Sequence, residues 1–378
     1  MPKTLRLIEL FAGYGSQAMA IKRLNIPFEH YKVVEFDKYA VRSYNAVHNT
    51  NFPVSDIRDV TGKDLEIVET EKYDYLLTYS FPCTDLSVAG KGLGMSKGSN
   101  TRSGLLWEVE RILKECKELG ALPQFLLMEN VTQVHGENNI KDFGEWVTFL
   151  DSLGYISKWQ DLNAKDYGIP QNRERVYTVS IRERERQFGW PEPMPLERRL
   201  GDMLEETVDE KYYLSDDRLK GILKWEERQK ENGRGFRFDV KDGDGIARTM
   251  TTSSDRPADS TYVKQGLKVI NATSQGYDIA EEGDSVNLSF PNSTTMRGRV
   301  GHGESQTITT DGNQGTVQQM RIRRLTPKEC WRLMGFDDED FEQAKQVNSD
   351  TQLYKQAGNS IVVNVLEGIV KNLFIERR

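Results

Sequence analysis

The chain has 378 residues, of which 58 are acidic and 51 basic, giving a formal net charge of −7, with 29% charged and 37% hydrophobic residues. That balance excludes wholesale disorder and leaves room for two domains, and three cysteines without metal-like spacing argue against a disulfide framework or a zinc cluster. No run of about eighteen apolar residues occurs, and the first residues lead straight into a strand pattern, so a cytoplasmic protein is expected; the acidic sum gives no hint of a nucleic-acid partner, although a basic cleft suffices for phosphates.

Leu5–Phe11 alternates and then turns apolar, and Ala12-Gly13-Tyr14-Gly15-Ser16-Gln17-Ala18 leads into an apolar-periodic segment ending near Leu24. Strand, glycine turn and helix in this order, with Gly13, Gly15 and the small Ala18 at the fingerprint spacing, fit a nucleotide site. A second apolar run, Tyr31–Val34, ends in Glu35-Phe36-Asp37, about twenty residues on, where a carboxylate can accept hydrogen bonds from ribose hydroxyls. Together they point to an adenosine-containing cofactor. Asp56-Ile57 falls in a loop, and the acidic stretch Asp64–Lys72 reads as a solvated helix.

Tyr73–Tyr79 reads as a buried strand, and Ser80-Phe81-Pro82-Cys83 follows its carboxyl end, where open α/β sheets place ligands. Pro82 disfavours helix at Phe81, and Gly90, Gly92, Gly94 and Gly98 make the continuation unsuited to a packed core. A free cysteine is usually an inert small hydrophobe, and Cys116 and Cys330, on predicted helices, keep that reading. Cys83, between a strand and a glycine-rich loop, is a candidate nucleophile.

Leu105–Leu119 predicts a helix and Phe125–Met128 a fourth strand ending in Glu129-Asn130-Val131, where desolvation raises a carboxyl pKa and suits it to proton donation. Phe143–Leu153 predicts a helix and Tyr155–Leu162 a strand. Arg173 and Arg175 precede an alternating strand, and residues i and i+2 share a face, so both guanidiniums are candidates for one site. After Arg182 the composition shifts, and to about Gln319 long apolar runs are scarce. Gly245–Thr252 and Gly303–Thr310 echo each other weakly, as two related β-loop elements of a small β-rich domain. Within Ser289–Thr316, Arg297, Arg299, Asn313 and Gln314 offer groups suited to base edges. Thr326-Pro327 opens a helix, and Gln356–Phe374 predicts one apolar-periodic helix with Asn359 or Ser360 near its start.

The ordered series Phe11-Ala-Gly-Tyr-Gly15, Glu35-Phe36, Asp56-Ile57, Phe81-Pro-Cys-Thr-Asp-Leu-Ser87, Glu129-Asn-Val131, Gln171-Asn-Arg-Glu-Arg175, Arg324–Phe336 and Gln356-Ala-Gly-Asn-Ser360 resembles the motif set of the DNA (cytosine-5) methyltransferases. The resemblance covers the first half and last fifth of the chain. It implies a Rossmann-like α/β catalytic domain dependent on S-adenosylmethionine, residues 1–185 and 345–378, and a smaller β-rich target-recognition domain, residues 186–344. It assigns the cofactor to Phe11, Gly13, Gly15, Glu35, Phe36, Asp56, Ile57, Pro82, Leu105, Asn359 and Ser360, with Phe36 where the family often has tryptophan. It assigns catalysis to Cys83, Glu129, Arg173 and Arg175, and DNA contact to Ser87; with Arg297 and Arg299 these are the expected DNA-binding residues. The implied reaction methylates carbon 5 of a cytosine flipped out of duplex DNA, through a covalent bond from Cys83 to C6. A nucleoid-associated monomer is expected, with a cognate restriction endonuclease as an optional partner and no metal.

Overall fold

The computed structural model describes residues 3–86, 94–99, 101–182, 187–233, 238–252, 260–281, 283–289, 294–304, 314–316 and 321–376. The chain divides into two compact units, one of Met1–Arg199, Ile246–Ser253 and Pro327–Arg378, the other of Leu200–Gly245 and Ser254–Thr326.

In the first unit, β1 (Thr4–Leu10), β2 (Phe28–Val34), β3 (Tyr73–Tyr79), β4 (Phe125–Asn130), β5 (Ile156–Asn163) and β7 (Glu174–Ile181) form one sheet ordered β2-β1-β3-β4-β7-β5, while the short β6 (Gln171–Asn172) pairs with Ala247–Arg248. β1 to β4 run parallel to one another, and β7 is antiparallel to both β4 and β5. β3 and β4 are the near-continuous apolar runs that burial on both faces demands. β5, at the edge, instead exposes most of its residues. Helices α1 (Ser16–Arg23) and α2 (Lys38–His48) follow β1 and β2, and α3 (Leu106–Glu118) and α4 (Ile140–Ser152) turn Leu106, Val109, Ile112, Leu113, Phe143, Trp146 and Leu150 into the core shared with β3 and β4.

Register sets the rim on which the site stands. Leu10 pairs with Tyr79 and Tyr79 with Met128, so β1 and β3 end level and β4 runs on beside them to Glu129 and Asn130. β7 runs the other way, and its amino end lies opposite the end of β4, with Glu129 against Tyr177 and Asn130 against Val176. Chain order reverses at β1, whose neighbours are β2 on one side and β3 on the other, and ligands of open α/β sheets bind beyond the strand ends at such a switch point.

The described residues of the second unit include helix α5 (Asp216–Glu231) and short strands: Ile322–Arg324, Tyr262–Lys264 and Val240–Lys241 in one sheet, a hairpin of Leu267–Ile270 with Tyr277–Ala280, and a sheet of Val300–Gly301, Ser285–Asn287 and Gln314–Thr316. Val269, Ala280, Val286 and Val300 make a small core there.

The chain then returns to the first unit through α6 (Pro327–Arg332), α7 (Asp338–Lys345), α8 (Asp350–Asn359) and α9 (Val363–Phe374). The Trp331 ring stacks on Tyr14 at 4.2 Å, its indole N–H donates to the Leu353 carbonyl, and the Ser16 and Ser360 hydroxyls share a 2.7 Å hydrogen bond. These contacts account for a unit boundary at Pro327, ahead of the expected 345, and the other boundary falls at Arg199, beyond the expected 185.

Three local expectations are corrected. Gln356–Phe374 is not one helix: Gln356–Asn359 closes α8, and α9 begins at Val363. Asp64–Lys72 is a series of turns, with Glu66 and Glu69 at φ of 48° and 51°, values no α-helix accommodates. Of the two echoing segments, Ile246–Thr252 belongs to the first unit, where Ala247–Arg248 extends β6, and residues 305–310 of the other lie outside the described residues.

Trp331 is fully buried, so Trp331→Ala is expected to lower stability by about 3–5 kcal/mol, read as a fall in the urea midpoint with little change in slope. A loss below ~1 kcal/mol would show that the returning helices are not integral to the unit.

Candidate active site

The turn after β1 is shaped by backbone conformation. Phe11, Gly13 and Gly15 have φ of 59°, 57° and 89°, a region that L side chains rarely adopt. A Cβ on Gly15 would lie 2.2 Å from His48 Nε2, whereas one on Gly13 would meet nothing within 4 Å; Gly15 is therefore required for packing, and Gly13 leaves the backbone open to a ligand. Glu35, at the end of β2, accepts the Gly13 N–H at 2.9 Å and the Asp37 N–H at 2.7 Å. Burial raises its pKa, and these two N–H groups oppose the rise. Phe36 beside it is 70% exposed, an uncovered aromatic face.

Ile57 is buried, and Asp56 before it is gripped by its neighbour: Arg58 Nε donates to Oδ1 at 2.9 Å and Nη2 to Oδ2 at 2.5 Å, which lowers the Asp56 pKa. Leu105 packs on the core just ahead of α3, half-buried like Pro82. On the C-terminal side, Ser360 is buried against Ser16 and Asn359 is exposed at the end of α8. Of the residues expected at the cofactor, Glu35 meets the glycine turn at Gly13, and Ser360 meets it at Ser16. An open backbone at Gly13, an uncovered ring at Phe36 and a carboxylate with remaining lone pairs at Glu35 fit an adenosine group.

Cys83 follows β3 and is partly exposed. Burial raises its thiol pKa, the Glu129 carboxylate raises it further, and Arg175 and Arg173 oppose both. Glu129 itself is only 8% exposed, and burial raises its pKa against the opposing charges of Arg175 and Arg173. Arg175 Nε stands 3.4 Å from Glu129 Oε1. Sulfur, carboxyl and guanidinium therefore converge on the rim where β3 ends and β4 continues through Glu129.

Arg173 is placed differently from Arg175. Its guanidinium donates to the carbonyls of Met250 at 2.9 Å, Gly358 at 3.0 Å and Ser360 at 2.6 Å, leaving Nε buried without a partner. Burial and the neighbouring Arg175 lower its pKa to about 10. It clamps the segment around Met250 to the α8–α9 turn and reaches Glu129 and Cys83 through its charge. Gln171 makes a parallel clamp, donating to the Leu333 carbonyl and accepting the Met250 N–H.

Sequence reasoning gave no role to the residues that hold the Cys83 turn. Asn130 Nδ2 donates to the Phe81 carbonyl at 2.9 Å, and Ser103 Oγ to the Pro82 carbonyl at 2.7 Å. Asp85, itself buried, accepts the N–H groups of Arg102 and Ser103. The available signal was polar residues beside buried strand ends, where every such group must find a partner. Of the expected DNA contacts, Ser87 lies outside the described residues, as does Asn313, and Arg297 is exposed. Arg299 departs from its expected place at base edges: it is 2% exposed and donates to the carbonyls of Ile270 and Asn287. Among the described residues no cluster of His, Cys, Asp and Glu could hold a metal ion, and no helix is long and apolar enough to cross a membrane.

A glycine turn, an acidic strand end and a thiol on one rim of a mostly parallel sheet define a Rossmann-like methyltransferase class. The chain belongs to the C-5 cytosine-specific DNA methylase family, whose model matches residues 5–375, and it is a DNA (cytosine-5) methyltransferase. It is 31% identical to the type II methyltransferase M2.ScrFI of Lactococcus lactis subsp. cremoris, over 98% of this chain and 99% of that one. It is also 31% identical to the orphan methyltransferase M.SPRI of Bacillus phage SPR, over 98% and 97%. The S. pombe Dnmt2 methyltransferase shares the fold, with a TM-score of 0.65 at 20% identity over 98% of each chain.

With Glu129 raising and Arg175 lowering the thiol pKa, the midpoint of Cys83 alkylation by iodoacetamide is expected above that of an ordinary thiol, lower in Glu129→Gln and higher in Arg175→Gln. Midpoints unchanged in both variants would contradict the electrostatic coupling.

Proposed function

We propose that the protein methylates carbon 5 of a cytosine extruded from a specific duplex DNA sequence, with Cys83 as the attacking thiol. The observation that carries this reading is the convergence of Cys83, Glu129 and Arg175 on the rim that also bears the glycine turn. Cytosine C5 is a poor nucleophile, and a thiolate adding to C6 turns the ring into an enamine that is nucleophilic at C5. Glu129, whose buried carboxyl favours its protonated form, donates its proton at N3 as electrons move from the C5–C6 bond into the ring. Arg175 steadies the Glu129 carboxylate left behind and orients the ring. Loss of the C5 proton, expulsion of the Cys83 sulfur and return of the N3 proton to Glu129 then restore aromaticity. Arg173, engaged with three carbonyls, serves as the brace of this assembly.

The methyl donor in this reading is S-adenosylmethionine, which supplies an electrophilic methyl group on a sulfonium. Glu35 would accept from ribose hydroxyls, Phe36 would face the adenine ring, and Asp56 with Ile57 would border the base, while Phe11, Gly13, Gly15, Pro82, Leu105, Asn359 and Ser360 would form the remaining walls. A base inside the duplex cannot be reached by a thiol on its ring face, so the target must be flipped out. The second unit would recognise the sequence, with the exposed Arg297 available to DNA and Ser87 set against a backbone phosphate. A monomer on duplex DNA, with or without a cognate restriction endonuclease, completes the reading.

Bisulfite sequencing of a host expressing the protein is expected to reveal 5-methylcytosine at one recurrent sequence. Cys83→Ser should abolish the mark while DNA binding persists, and Glu129→Gln should reduce turnover by about 10²–10⁴-fold. Methylation by Cys83→Ser at the wild-type rate would rule out the thiol route.

A further inference from the structure

The two carbonyls immediately before Cys83 are each held by a side chain from a distant element. The Phe81 carbonyl accepts from Asn130 Nδ2 at the end of β4, and the Pro82 carbonyl accepts from Ser103 Oγ just ahead of α3. Ser103 is fully buried and reciprocally bound: the Asp85 N–H donates to its hydroxyl at 3.3 Å, and Asp85 Oδ2 accepts the N–H groups of Ser103 at 3.4 Å and Arg102 at 2.8 Å. The Asp85 carbonyl takes the Gly94 N–H at 3.0 Å, and the Gly94 carbonyl accepts the Thr101 hydroxyl at 3.1 Å. Peptide planes held from both sides leave the Cys83 Cα–Cβ bond little freedom, and a misplacement of ~1 Å at a reacting atom can reduce a rate about 10²-fold.

We propose that Ser103 and Asp85 act as a positioning pair for the nucleophile, a buried hydroxyl and carboxylate that set the peptide ahead of Cys83 so that its sulfur meets C6 of the flipped cytosine. The inference rests on the reading of Cys83 as the attacking thiol. Neither residue touches the substrate. Ser103 acts through the Pro82 carbonyl, and Asp85 acts through Ser103. Truncating either should therefore slow addition to C6 while leaving DNA affinity and donor affinity in place.

Addition can be read without methyl transfer. When the thiolate adds to C6 and a solvent proton joins C5, reversal of the addition requires one of the two C5 hydrogens to leave, so over repeated cycles duplex DNA carrying [5-³H]cytosine at the modified site loses tritium to water. With the full chain and no methyl donor, Ser103→Ala is expected to slow tritium release by about 10–100-fold with DNA affinity within about twofold of wild type. Ser103→Thr, which keeps the hydroxyl, should recover most of the rate. Asp85→Asn should slow release like Ser103→Ala, and the double variant should be no slower than the slower single one, because the two act as a unit. Unchanged release by Ser103→Ala, or a loss matched by an equal loss of DNA affinity, overturns the inference alone. A wild-type protein that releases no tritium overturns the reading of Cys83 and the positioning pair with it.

Discussion

The level register of Leu10, Tyr79 and Met128 across three parallel strands is the constraint on which the site depends. Ladder hydrogen bonds place the glycine turn after β1, the Cys83 turn after β3 and Glu129 in β4 at one height. A one-residue slip would carry inward-facing residues to the opposite face of the sheet. The antiparallel β7 adds a different kind of group to the same rim. Because it enters where β4 leaves, Arg175 arrives beside Glu129 at the start of its strand.

That geometry sets two opposing electrostatic demands. Burial disfavours charge on both the Cys83 thiol and the Glu129 carboxyl, and each negative charge would disfavour the other. Arg175 and Arg173 oppose both effects. Arg173 does this while its N–H groups are engaged with Met250, Gly358 and Ser360. The same side chain thus adds positive charge to the reaction centre and fixes the turn between α8 and α9.

Much of this was legible in the residues. The buried strands are legible because apolar runs such as Tyr73–Tyr79 and Phe125–Met128 have few other homes in a folded protein, and the glycine turn because Gly13, Gly15 and Ala18 stand at the fingerprint spacing after a strand. The break after α8 was not legible. Apolar periodicity continues through Ile361 and Val362, and the carbonyls of Gly358 and Ser360 turn to a guanidinium 185 and 187 residues earlier in the chain. Asp64–Lys72 has helical composition, yet Glu66 and Glu69 are left-handed and the Asp64 carboxylate closes a turn onto Thr61. Arg299 could not be told from a DNA-facing arginine, since only packing reveals that its guanidinium faces carbonyls of its own unit. Ser103 and Asp85 carry no motif of their own and emerge only once the Pro82 carbonyl has a position in space.

The central claim is a bond between one sulfur and one ring carbon. Duplex DNA carrying 5-fluorocytosine at the modified position blocks the final loss from C5 and should trap that bond. Incubated with the protein and S-adenosylmethionine, then digested and mapped by mass spectrometry, it is predicted to leave the nucleotide on the peptide containing Cys83. No covalent complex, or one mapped to Cys116 or Cys330, would contradict the account.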